Sequence, residues 1–442
     1  MYLKGSKLSL SKKRRQVNPW LLTFLLISIG ALIYLNLVVV PMMDPPFVPT
    51  PTPTRDPQSF TQEAEALAAE GKYLQAIEAY QGAINADPQN ITNYLKISRL
   101  QIYTDQLVQA QVNAQNAILL DNTSSEAYAL LGWAKGFQKE YLDGETDARR
   151  AIELDQNSGL AHAVLAYILA LRVEAGLQEL DTIDLAIEES RTALALEPNL
   201  LEAHWARGYV LEITSNYEEA VTELDAAIAI NPHIAQVHMA LGRNLINTGE
   251  LDRSVFEFTK TYSLNPTDPT PNLFISRVYG MLGEWDKGIQ YGSLALRDGP
   301  QDPQLYANLG TLYYRKGQYN QALPYLETAV RGGTSEDGQV VEGIPLSYDT
   351  GVIELYSRYG LALARINRCN EAVTVANALL QNVADNADGV FNANEIIRIC
   401  EENLLNPPTA TPVPTPTVVT GPTATPVPTL TIVTGPTATP QP

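Results

Sequence analysis

From residue 57 to residue 385 apolar positions recur with the period of a helix, and the pattern itself repeats along the chain. Alanine, a large residue and alanine stand at i, i+4 and i+7, with proline five residues further on, as in Ala76, Tyr80, Ala83 and Pro88. The frame returns as Ala186, Ala193 and Pro198, as Ala220, Leu224, Ala227 and Pro232, as Phe258 and Pro266, and as Ala295 and Pro300. These positions share one helical face, where small alanines admit a second helix and the larger residue fills the space between them. Proline ends the helix because it cannot supply the next backbone donor. Upstream in each unit a second amphipathic stretch carries a large residue, a leucine-like residue three on, then glycine: Tyr128, Leu131, Gly132; His238, Leu241, Gly242; Tyr306, Leu309, Gly310; and Tyr356, Tyr359, Gly360. Gly71, Gly249, Gly283 and Gly317 mark the turn between the two stretches, so each unit reads as a helical hairpin.

Pro198, Pro232, Pro266 and Pro300 are spaced by 34 residues. A 34-residue helix–turn–helix of this pattern resembles the tetratricopeptide repeat family, most fully through Tyr306, Leu309, Gly310, Tyr313, Gly317, Ala322 and Ala329. The resemblance implies an all-α, right-handed superhelical solenoid of about nine hairpins over residues 58–385, starting near 57, 91, 125, 159, 201, 235, 269, 303 and 353. Three units depart from the pattern. The second has Ser98 and Gln101 in first-helix slots, the third has Gly144 where alanine is usual, and the fourth carries about eight extra residues at 175–183. Residues 331–351 interrupt the array with a loop that either covers a binding face, makes a separate contact or is a passive insertion. Residues 386–405 read as a capping helix with Asn392, Asn394, Glu401 and Glu402 outward, since an open solenoid end would expose its core.

The two ends of the chain are of different character. No charge falls between residues 20 and 40, and about 21 residues at 1.5 Å each match the roughly 30 Å hydrocarbon core of a bilayer, so one transmembrane helix is expected there. A cleaved signal peptide has a shorter apolar core and a small-residue cleavage site, which this segment lacks. Lys4, Lys7, Lys12, Lys13, Arg14 and Arg15 make residues 1–19 a basic tail on the cytoplasmic side. The expected protein is thus single-pass in the cell membrane, with its C-terminal bulk extracytoplasmic. Residues 41–57 form a proline- and threonine-rich spacer suited to extended polyproline II. Residues 406–442 carry no charge and repeat PTATP at 408, 422 and 436, a composition that cannot bury enough apolar surface to fold.

Charge and chemistry then narrow the partners. Six of the 30 basic residues precede the apolar run, leaving 24 against 49 acids in a chain of formal charge −19, which disfavours nucleic acid. There is no phosphate-binding glycine loop, no G-x-S-x-G elbow and no H-E-x-x-H, so neither an enzyme nor a cofactor site is expected. His162, His204 and His238 occupy one slot in three successive units, and Tyr94, Tyr128, Tyr306 and Tyr356 fill it elsewhere. A metal ladder is disfavoured there, because helices stack about 8–10 Å apart while zinc bonds are about 2 Å long; packing is the expectation. Cys369 and Cys400 are the two cysteines, at the start of the last second helix and near the end of the capping helix. Antiparallel helices turning near residue 385 bring them level, giving a disulfide; the alternative is two buried free thiols.

In the resembling family, first helices line the binding groove, and residues one and five after the large slot point into it. Carried across, that frame implies Trp133, Tyr167, Trp205, Tyr209, Arg243 and Arg277, with Tyr103, Phe137, Tyr314, Arg315 and Arg365 further round the first helices. The groove would pass from aromatic to arginine-bearing and take an extended peptide, apolar or proline-rich at one end and acidic at the other. The function expected is a non-enzymatic protein- or peptide-binding scaffold on the outer side of the membrane. Binding of carbohydrate or cell-wall polymer through the aromatic residues is the alternative, and packing of half these side chains between repeats stands beside both.

Overall fold

The computed structural model describes residues 18–39 and 56–405. The expected basic tail (1–19), spacer (41–57) and threonine–proline tail (406–442) lie outside the described residues except at Asn18, Pro19, Asp56 and Pro57, which instead cap or begin helices. The described residues fall into two compact units divided between Leu100 and Gln101. The first contains α1 (Pro19–Tyr34), α2 (Pro57–Ala69), α3 (Tyr73–Ala86) and most of α4 (Ile91–Tyr103). The second continues through α5 (Leu107–Leu120), α6 (Ser125–Phe137), α7 (Tyr141–Leu154), α8 (Gly159–Glu174), α9 (Thr182–Leu196), α10 (Leu201–Ile213), α11 (Tyr217–Ile230), α12 (Ala235–Thr248), α13 (Leu251–Leu264), α14 (Thr270–Met281), α15 (Trp285–Asp298), α16 (Pro303–Arg315), α17 (Tyr319–Arg331), α18 (Thr350–Arg365), α19 (Cys369–Asn382) and α20 (Ala387–Leu405).

The segment expected to cross a membrane differs from that expectation. Regular helix ends at Tyr34 and passes into a π-helical turn, Leu35–Val39, so α1 covers 16 residues, about 24 Å. Among the described residues no helix is long and apolar enough to cross a membrane. No residue of α1 is buried, and Trp20 is 83% exposed.

The remaining helices form a helical repeat solenoid. In the first unit α2 packs on α3; in the second, α6 packs on α7, α8 on α9 and so on to α18 on α19. First helices also touch first helices, α6 with α8, α8 with α10 and α16 with α18. The alanine frame makes the hairpins close: Ala76, Ala83, Ala186, Ala193, Ala220, Ala227, Ala322 and Ala329 are all fully buried. Gly132 and Gly144 face one another, and a Cβ at Gly132 would lie 2.7 Å from the Gly144 carbonyl oxygen. The departure at position 144 is therefore a site where two backbones meet. In the second repeat the buried Asn113 amide donates to the Gln101 side-chain oxygen at 2.8 Å, which explains a polar residue in that slot.

The slot shared by tyrosine and histidine has a common hydrogen bond. Tyr94 and Tyr306 donate to the Pro88 and Pro300 carbonyls at 3.3 and 3.0 Å. His162, His204 and His238 meet the carbonyls of Gln156, Pro198 and Pro232 through Nε2 at 3.1, 2.9 and 3.0 Å. In each case the polar tip reaches the carbonyl six residues upstream, at the join between repeats, where the helix end leaves acceptors unsatisfied. Each histidine also presents Nδ1 to a second-helix carboxylate: Glu189 at 2.5 Å, Glu223 at 2.7 Å and Glu257 at 2.6 Å. These glutamates raise the His162 and His204 pKa values above their ordinary level, against the opposing effect of burial.

At the C-terminal end, α20 lies against both α18 and α19. Ile396 fills the space over Gly360, where a Cβ would come within 2.5 Å of its Cδ1. Cys369 and Cys400 are joined as a disulfide with Cα atoms 5.4 Å apart. The Asn403 amide donates to the Ala364 carbonyl at 3.0 Å. The 331–351 insertion is pinned as well. Its short antiparallel strands, Gly333–Thr334 and Val340–Val341, fold back so that a Cβ at Gly343 would meet the Val330 carbonyl oxygen at 2.5 Å. The Ile344 N–H donates to Ala329, and the Tyr356 hydroxyl donates to Ile344.

Candidate functional site

Within the second unit the expected groove residues separate into two regions. Tyr103, Trp133, Tyr167, Trp205 and Tyr209 are buried, and Phe137 is half-buried. Their rings meet one another: Trp133 and Trp205 at 5.3 Å, Phe137 and Tyr167 at 5.3 Å, Tyr167 and Trp205 at 5.6 Å, and Tyr167 stacked on Tyr209 at 4.5 Å. Trp133 is 2% exposed and Trp205 1%, so an open aromatic groove is replaced here by rings that pack between neighbouring first helices. The physical reason is proximity, because α6, α8 and α10 lie side by side and large rings interlock edge to face. The hydroxyls find acceptors at the border of this cluster: Tyr103 donates to Glu202 at 2.6 Å, and Tyr209 donates to Glu174. Burial, followed by nearby charge, pushes the Tyr209 hydroxyl pKa far up.

Arg243 stands at the edge of the same cluster. Its guanidinium donates to both oxygens of Glu212, at 2.7 and 3.0 Å, the paired geometry that suits a planar fork. It is therefore neutralised within the fold. A cleft of about 290 Å³ opens beside it, bordered by Asp105, Phe137, Tyr167, Trp205, Gln236 and Asp268.

The second region lies along α14, α16 and α18, where a cleft of about 340 Å³ is bordered by Arg277, Arg315 and Arg358. Arg358 pairs with Glu354 one turn away. Asp349 also borders this cleft, but its carboxylate caps α18 by accepting the Val352 N–H at 3.0 Å. Among the described residues Arg277 and Arg315 have no ion-pair partner. Arg277 lies over the Phe274 ring at 5.6 Å, and partial burial draws its pKa below the ordinary value while Asp302 opposes that effect. A guanidinium remains charged under such a shift. The far end of the insertion, through Ile344 and Gly351, forms part of the wall.

Arg365 and Tyr314 lie apart from the lining of this cleft. Arg365 is exposed and acts on the Glu395 carboxyl of α20, secondary to Arg398. Tyr314 is half-buried and meets Tyr319 edge-on at 5.4 Å. Sequence reasoning missed Arg358, Asp105 and Asp268. Arg358 stands two positions after the tyrosine slot rather than one or five, and the two aspartates lie in loops, where helical periodicity has no hold. Among the described residues no group of three or more histidine, cysteine or carboxylate side chains is arranged to hold a metal ion.

This architecture defines an all-α helical repeat class, and in the second unit the clefts lie on the first helices. Parts of the chain match tetratricopeptide repeat models: one family model of that description matches residues 57–90 and 303–331, and a second matches residues 177–235. Among solved structures, the chain is similar to Pseudomonas aeruginosa pilF at 24% identity, over 46% of this chain and 90% of that one, with a TM-score of 0.39. It is similar to a tetratricopeptide repeat protein from Parabacteroides merdae at 12% identity, over 58% and 98% of the two chains, with a TM-score of 0.36. It is also similar to MamA protein at 24% identity, over 41% and 94%, with a TM-score of 0.28. No curated protein matches the chain in sequence.

Proposed function

We propose that the chain is a non-catalytic scaffold that holds an acidic, extended segment of a partner protein in the cleft between α14, α16 and α18. The observation that carries this reading is the pair Arg277 and Arg315, which border one cleft without ion-pair partners among the described residues, in a chain of net charge −19. Guanidinium groups left unpaired where acids outnumber bases suit carboxylates brought from outside, and arginine can grip each with two hydrogen bonds. The carbohydrate reading loses its support, since the tryptophans it would use are turned into the fold.

A fluorescent glutamate-rich peptide titrated into the full chain tests the cleft by anisotropy. The double substitution R277A/R315A is expected to weaken binding roughly tenfold or more, because charge-assisted contacts contribute about 1.5–3 kcal/mol each before solvent screening. Equal binding by a variant with unchanged circular dichroism would sink the reading.

We further propose attachment to a membrane through residues 20–40, with the repeats on the outer side. Supporting it are the uncharged run and the large apolar side chains of α1, which no other part of the described fold covers. Release of the protein from membranes by an alkaline carbonate wash, or resistance of its repeats to protease added outside intact cells, would count against it.

A further inference from the structure

Asp105 sits in the turn between α4 and α5, and Asp268 in the loop between α13 and α14, yet both border the cleft of about 290 Å³ beside the aromatic cluster. Among the described residues neither aspartate has an ion-pair partner. Asp268 commits one oxygen to the Thr270 N–H at 2.8 Å, which leaves its second oxygen and its charge unmatched. Arg243 cannot serve them as a counter-ion at no cost, because Glu212 already holds it by two hydrogen bonds. The Gln236 side-chain oxygen at the same cleft is buried and accepts no hydrogen bond. Partial burial, and after it the charge of Asp268, push the Asp105 carboxyl above the usual carboxylate range.

Two carboxylates thus border one space with no cation paired to them among the described residues, and the unsatisfied Gln236 oxygen belongs to the same wall. Phe137, Tyr167 and Trp205 back the space, with ring centroids 5.3 to 5.9 Å apart, and this apolar wall weakens solvent screening of the two charges. A bound anion would add repulsion, and a neutral apolar group would leave the acceptors unmet. A donor-rich cation answers both demands, and its methylene stem can lie along Phe137 and Met239.

We propose that this cleft receives the ammonium or guanidinium end of a basic side chain on the bound polypeptide. The proposal deepens the scaffold reading above and rests on it for the identity of the ligand. The expected partner segment then carries a basic residue at the aromatic cleft and acidic residues at the Arg277 and Arg315 cleft.

N-acetyl-arginine amide and N-acetyl-lysine amide, with N-acetyl-norleucine amide as the uncharged comparison, are titrated into the full chain and followed by saturation-transfer NMR. At least one cation is expected to bind saturably, with the norleucine amide much weaker. The double substitution D105N/D268N is expected to weaken the cation roughly tenfold, two partly screened charges being removed. Asparagine suits position 105, whose φ is 60°, and at position 268 it keeps an acceptor for Thr270. The proposal is overturned if neither cation saturates, if norleucine amide binds equally well, or if the variant, melting as the parent does, binds the cation unchanged. These probes carry no carboxylate side chain, so their outcome is separable from that of the glutamate-rich peptide: either cleft can fail while the other stands.

Discussion

At the scale of the residue, the turn within each hairpin has one fixed requirement, a left-handed backbone. Gly71, Gly249, Gly283 and Gly317 meet it at φ values of 75° to 83°. Asp105, Lys139, Ser215 and Asn367 occupy the equivalent place in other repeats at 60° to 67°. A side chain with a Cβ is strained in that region by about 1–2 kcal/mol, part of which glycine returns through a more flexible unfolded chain. Lys139→Gly is therefore expected to raise stability by about 0.5–1 kcal/mol, measured by urea denaturation; a fall in the midpoint would contradict it. The sequence marks this turn only where glycine fills it, because lysine or serine at the same place gives no local signal. Burial of Trp133 and Trp205 is hidden for a similar reason. A ring one position after the slot can face either a groove or the adjacent first helix, and only the approach of α6, α8 and α10 decides between them.

At the scale of the element, the hairpins are legible because two independent signals agree, alanine on one face and proline at the end of the helix. The insertion at 331–351 and the lengthened α8 are legible as interruptions, but not as structures, since Gly332, Gly343 and Arg172 act through long-range contacts. Arg172, for example, is buried and pairs with Glu145 of α7, 27 residues upstream, while it also reaches Glu179 and the Leu177 carbonyl at 3.1 and 3.2 Å, tying down the extra loop after α8. The capping helix α20 is held covalently as well as by packing. The disulfide closes a stretch of 31 residues, for which chain-entropy arguments give about 2–4 kcal/mol. Reduction is expected to speed hydrogen exchange in α19 and α20 by an amount that fades toward α16, read peptide by peptide by mass spectrometry. A uniform change along the second unit, or none, would rule that out.

At the scale of the whole molecule, three neighbouring repeats carry a histidine pin where others carry tyrosine. His162 and His204 bind a carbonyl through Nε2 and a carboxylate through Nδ1, so the imidazolium, with two N–H donors, satisfies both partners. Their folded pKa values lie above the ordinary one, near 6.5. The folded state thus holds protons more tightly than the unfolded chain. The stability this contributes is fully present below the unfolded value and is lost as pH rises through the raised folded value. Denaturation midpoints should accordingly fall between pH 6 and pH 8. The variant H162Y/H204Y, which keeps a hydroxyl for the upstream carbonyl as Tyr306 does, should flatten that slope; an unaltered slope would assign it to other groups.

The covalent closure of the last hairpin also sets where such an array comes apart. Stacked repeats lose structure from their ends, each terminal unit fraying before its neighbour, because a terminal unit has one interface instead of two. Linking Cys369 to Cys400 keeps α19 and α20 tethered even when the packing around Ile396 momentarily opens, so an open end can reclose before the next repeat follows. In an oxidising compartment the C-terminal margin of the second unit is thereby barred as a point of entry for unzipping, and proteases that depend on transient openings must find theirs elsewhere along the array.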